Sequence, residues 1–124
     1  MKEIRFRSWD GERLRKVNTI GWVDGDVDFV TTPRYSGPAE DFRLMQYTGL
    51  KDKNGIEIYE GDALRDSESI VIVKFVDGEF SVDYRTMGGK WRNYGSLFDY
   101  LKDYEGEVIG NIYENQELLE RGAE

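Results

Sequence analysis

Glu57, Glu60 and Asp62 place three carboxylates within six positions, a set that can hold a divalent cation or divide into an acid and a base. Strand alternation would send Glu57 and Glu60 to opposite faces. Asp62 follows Gly61 in a Glu60-Gly61-Asp62 turn, where Asp is a common turn residue, so the structural reading outweighs the chemical one. Asp24, Asp26 and Asp28 match the first three ligand positions of a calcium loop, but Phe29 stands where that loop needs Gly and Tyr35 where it needs Glu. The chain has no His and no Cys. A Ser-His-Asp triad, a thiolate nucleophile and the common zinc sites are therefore excluded. Neither GxxxxGK[ST] nor GxGxxG occurs. The expectation is a non-enzyme without catalytic residues, cofactor or metal, with carboxylate-only hydrolysis as the enzyme class left open.

The elements around these residues read mostly with period two. Ile4 and Phe6 alternate with Arg5 and Arg7, and Val23, Val27 and Phe29 alternate with Asp24, Asp26 and Asp28, as in half-buried strands. Residues 69–76 are a β-branched run followed by Asp77-Gly78 and then by Phe80, Val82 and Tyr84, a hairpin signal. At Asp52 to Gly55, a two-residue loop on Asn54-Gly55 would set Asp52 against Glu57. A three-residue loop with Gly55 left-handed instead sets Lys51 against Glu57 and Leu50 against Ile58. Residues 31–40, with both prolines, and residues 86–90 read as loops. Ser96 to Asp99 has capping-box spacing and predicts a helix over 96–104 with Leu97, Leu101 and Tyr104 on one stripe. Glu107 to Tyr113 returns to strand, and Asn115 is placed to cap a last turn over 116–121 carrying Leu118 and Leu119. The fold class is mainly β: antiparallel strands in a small, partly open barrel or sandwich, with one short helix near the C-terminus. The Gly-Asp entry into a strand also occurs in SH3-like barrels, an analogy for that element alone.

At 124 residues the chain suits one domain over 1–124 whose last few residues fray. No run approaches the roughly 18 apolar residues of a membrane span, and the N-terminus lacks a signal-peptide core. The net charge is −8. Residues 99–124 hold eight acids and two bases, so the acidity gathers at that end. Residues 1–16 carry six bases against three acids, and Arg5 and Arg7 read as a solvated strand face, which does not favour nucleic acid as a partner. Three Trp, eight Tyr and six Phe are many for this length. Trp9, Trp22, Tyr35, Trp91 and Tyr94 lie beside Arg or Asp and form a candidate interaction surface.

Three blocks carry a family resemblance: Ile4 to Asp10, Gln46 to Asp62, and Val108 to Glu120. In order and content they resemble the YopX family of small proteins encoded by bacteriophages and prophages. Its turn and motif positions fall here on Gly49, Asp52, Asn54, Gly55, Gly61, Asp62, Gly110 and Asn111. The resemblance implies a mostly β fold, a bacterial cytoplasm and self-association, and carries no catalytic residue. Gln116 stands where Pro is common after Asn115, and Ala63 where a β-branched residue is common after Gly-Asp. Two function classes follow. One is an interaction module that binds itself and a host or phage protein. The other is a nucleic-acid-associated protein, acting through its basic N-terminal stretch or through its acidic end as a phosphate-like surface.

Overall fold

A computed structural model describes residues 3–117, which gather into two compact units, Met1–Gln46 and Tyr47–Glu124. The last turn assigned to residues 116–121, with Leu118 and Leu119, lies largely outside the described residues. The strands among the described residues are antiparallel and close no barrel. Among the described residues, no helix is long and apolar enough to cross a membrane.

In the first unit, β1 (Phe6–Trp9) pairs with β2 (Leu14–Lys16), Arg7 opposite Lys16 and Trp9 opposite Leu14. Asp10 makes the reversal, accepting from the N–H groups of Glu12 and Arg13 at 2.8 and 2.9 Å. A three-stranded sheet follows in the order β3 (Thr19–Val23), β4 (Asp26–Thr31), β5 (Ser36–Pro38). Two expectations are corrected here. Residues 23–29 are not one strand, because Asp24 (φ 50°) and Gly25 (φ 86°) take left-handed conformations that reverse the chain between β3 and β4. Residues 31–40 are not simply a loop: Gly37 pairs with buried Val30, and Pro38 is tolerated because β5 is an edge strand.

A 3₁₀ turn (Ala39–Asp41) leads into β6 (Arg43–Lys51), whose first residues pair with β1, Gln46 opposite Phe6. Arg5 and Arg7 are half-buried, not a solvated face. The Arg7 guanidinium donates to the Met45 sulfur at 3.7 Å from the neighbouring strand, while Ile4 is the exposed residue.

In the second unit, β6 from Tyr47 onward pairs with β7 (Glu57–Tyr59). The three-residue loop is observed: Gly55 N–H donates to the Asp52 carbonyl at 3.0 Å, Asp52 N–H to the Ile56 carbonyl at 2.9 Å, and Lys51 faces Glu57. The ladder then shifts, with Gly49 at φ 85° and the Thr48 hydroxyl donating to the Ile58 carbonyl at 2.7 Å, so the Leu50–Ile58 pairing falls within an irregular stretch. At Gly55 the backbone is left-handed (φ 82°) with open space around the missing Cβ. Gly55→Val is therefore expected to lower stability by about 1–2 kcal/mol through backbone strain alone. Urea unfolding measures it, and an unchanged midpoint would refute the assignment.

The remaining strands form one sheet in the order β11 (Trp91–Ser96), β10 (Glu79–Arg85), β9 (Ile70–Val76), β8 (Asp62–Arg65), β12 (Glu107–Asn111). Asp77-Gly78 joins β9 to β10 with both residues left-handed, Val76 opposite Glu79. The apolar run Ile70 to Val73 of β9 has a physical cause, since there both faces of the sheet are buried, whereas Lys74, Phe75 and Val76 are exposed. Val71 and Val73 join Leu64, Val82 and Ile58 on one face, and Ile70 and Ile72 join Ala63 on the other. Helix α1 (Leu97–Tyr104) adds Leu97 and Tyr100 to the first cluster, and its Ser96 hydroxyl accepts from Asp99 N–H at 3.1 Å. Its buried stripe is thus Leu97, Tyr100 and Leu101, with Tyr104 exposed in place of the expected burial. The turn that Asn115 is expected to cap lies largely outside the described residues. The Asn115 side chain turns back to accept from Asn111 N–H at 3.2 Å, over Gly110, where a Cβ would collide with it.

Candidate functional site

Of the three carboxylates that invited a catalytic reading, Asp62 is a structural acceptor, while Glu57 stands on β7 opposite Lys51 and Glu60 in the turn before Gly61. Asp62 is buried and accepts the Tyr59 N–H at 2.8 Å, closing the turn at Gly61. Both backbone groups of Gly61 are bonded as well, its N–H to Val73 and its carbonyl to Ile112, each at 2.9 Å. Buried Asp52 accepts from Asn54 and Ile56 N–H through Oδ1 and from Val108 N–H, 56 positions away, through Oδ2. Asp66 likewise closes its own turn with Oδ1 and takes the Tyr100 hydroxyl at 2.7 Å with Oδ2. Asn111 Oδ1 accepts from Tyr113 and Glu114 N–H at 2.9 Å. Among the described residues, no three acidic side chains converge as metal ligands.

The five aromatics named from the sequence have different fates. Trp9 is half-buried at the end of β1. Trp91 packs against Ala63, Ile70 and Ile72 and belongs to the core. Tyr35 donates to Asp41 Oδ2 at 2.6 Å and stacks on Phe42 at 5.8 Å. That bond raises the pKa of its phenol. All three belong to the candidate interaction surface expected from the sequence; Trp9 and Trp91 are half-buried, whereas Tyr35 is 54% exposed. Trp22 is exposed as well, at 58%, and Phe29 on the paired strand at 44%. Trp22 faces Val27 while its neighbour Gly21 faces Phe29 across a bulge, so the two rings lie on opposite faces of the ribbon. Thr19, Thr31 and Pro38 share the face of Phe29, as does Asp26 opposite Val23.

Tyr94 belongs to a second feature, within the second unit. A cavity of about 430 Å³ is walled by Tyr84, Tyr94, Tyr100 and Tyr104, with Asp66 and Glu68 at its side. Tyr100 and Tyr104 stand four positions apart on α1 and stack at 5.6 Å, while Tyr94 meets each edge-on at 6.0 and 5.4 Å. The Tyr94 hydroxyl donates to Asp103, which pushes its pKa up to about 12. Burial, together with Asp66, raises that of Tyr100 further. Both phenols stay protonated at neutral pH. The four-residue spacing of Tyr100 and Tyr104 was available in the sequence, but nothing there tied it to Asp66.

In the first unit, a polar cavity of about 500 Å³ lies beside Ser8, Asp10, Arg15 and Arg34. Arg15 Nε donates to Asp10 Oδ2 at 2.7 Å. The backbone N–H of Arg13, this guanidinium and the N–H of Glu12 hold the Asp10 carboxyl well below the usual range.

Open antiparallel sheets, two exposed rings on β3 and β4 and a tyrosine-walled cavity characterise a mainly β protein. The chain belongs to the YopX protein family, whose model matches residues 5–120. It is similar to the crystal structure of protein EF1440 from Enterococcus faecalis, with TM-score 0.68 and 28% identity over 97% of this chain and all of that one. No curated protein matches.

Proposed function

We propose that the protein is a non-enzymatic interaction module of a phage or prophage that self-associates in the bacterial cytoplasm and presents its acidic end to a further protein. The exposed rings of Trp22 and Phe29 support this reading, since each offers apolar surface that a second copy would cover. A chain of net charge −8 repels its own copy wherever acids would meet, so uncharged rings suit such a contact. Edge strand β3, which carries Trp22, offers backbone groups that a two-fold contact would also cover. The nucleic-acid reading loses support, since Arg5 is bonded to Glu3 at 2.6 Å and Arg15 to Asp10, leaving fewer bases for phosphate.

Light scattering at several micromolar concentrations is expected to give at least twice the 14.4 kDa monomer mass. Replacing both exposed rings, Trp22→Ser with Phe29→Ser, is expected to return the mass to the monomer with an unchanged circular dichroism spectrum. A monomer at all concentrations would refute self-association.

A further inference from the structure

We propose that the tyrosine-walled cavity of the second unit is a binding site for an organic ammonium group. The side chains of Tyr84, Tyr94, Tyr100 and Tyr104 line one cavity, and a cation beside an aromatic ring is drawn by the negative side of the ring quadrupole. Several rings around one cavity add to that attraction. The volume of about 430 Å³ lies within the range of small-molecule sites.

Charge favours a cation from every side. Lys and Arg are absent from the lining, whereas Asp66 and Glu68 are part of it. Asp103 accepts from Tyr94, so both hydrogen-bonded phenols, Tyr94 and Tyr100, point their protons at carboxylates and leave their rings electron-rich. The nearest basic residue on the helix, Lys102, is turned to Asp99 at 3.6 Å and lies over the Phe98 ring at 5.1 Å. An anion would meet the carboxylates of Asp66 and Glu68 with no Lys or Arg in this wall to balance it. A compact cation finds aromatic rings and counter-charge.

Two sources supply such a group, a free quaternary ammonium compound and a lysine side chain of a protein. Choline and N-acetyl-lysine methylamide represent them, and 3,3-dimethylbutanol, the neutral isostere of choline, controls for mere apolar filling. Tyrosine ring resonances report occupancy in each titration. At least one cation is expected to bind and to shift Tyr94 and Tyr104, at least tenfold more tightly than the neutral isostere. Tyr104→Ala is expected to weaken that cation about tenfold, while Tyr104→Phe, which keeps the ring, preserves it. Tyr104 is 40% exposed, so both variants are expected to fold as the parent does. The stronger of the two cations identifies the source. Equal binding of cation and isostere, indifference to Tyr104→Ala, or no ring shift with either cation would each overturn the proposal.

Discussion

Asp52→Ala is expected to lower unfolding free energy by about 3–4 kcal/mol, because three backbone N–H groups lose a charged acceptor at once. Asn54 and Ile56 donate to Oδ1 at 2.9 and 3.0 Å within the turn, and Val108 donates to Oδ2 at 3.0 Å from β12. The side chain is buried, so water does not readily replace it. Asp52→Asn keeps Oδ1 as an acceptor but sets an amide nitrogen against the Val108 N–H, and its loss should fall between zero and that of Ala. Chemical denaturation of the three proteins measures the series. A loss under about 1 kcal/mol for Ala would mean that the strand-to-turn clamp contributes no more than one ordinary hydrogen bond.

Tyr100→Ala is expected to cost about 3–5 kcal/mol, the range for removing a buried aromatic ring. The ring fills the space between α1 and the sheet and closes over Gly106, where a Cβ would collide with it. Tyr100→Phe retains the volume and leaves Asp66 Oδ2 without its donor, for a loss of about 1 kcal/mol. Alkaline pH separates the roles. Burial and then Asp66 hold the phenol protonated above its usual value of 10, so its contribution is fully present below pH 10 and disappears as pH climbs through the higher folded value. The parent should therefore lose stability above pH 10 more steeply than Tyr100→Phe. Parallel curves would remove Tyr100 as the source.

What the sequence conveyed well was local. Asp77-Gly78, Asp52 to Gly55 and Ser96 to Asp99 each state their structure within a few residues, because left-handed backbone and hydroxyl capping are decided there. What it concealed depends on distance. The second oxygens of Asp52 and Asp66 find partners 56 and 34 positions away, so neither the clamp nor the tyrosine cavity could be read from spacing. Trp22 is exposed, and so is Phe29, which the acid alternation sets on the buried face of a strand. The reversal at Asp24-Gly25 lay within an acid alternation that mimics a continuous strand, and it is this reversal and the bulge beside it that turn Phe29 outward.

Strand order has a consequence for synthesis. β12 is made last of the five strands, yet its place is beside β8, the first of them. Until Glu107 to Asn111 leave the ribosome, the nascent chain carries a finished β8–β11 meander with an open edge, and Asp52 waits for the N–H of Val108. A chain stalled in that interval presents an open, β-branched sheet edge to its neighbours, so the hazard of misassembly is concentrated in the interval before β12 docks.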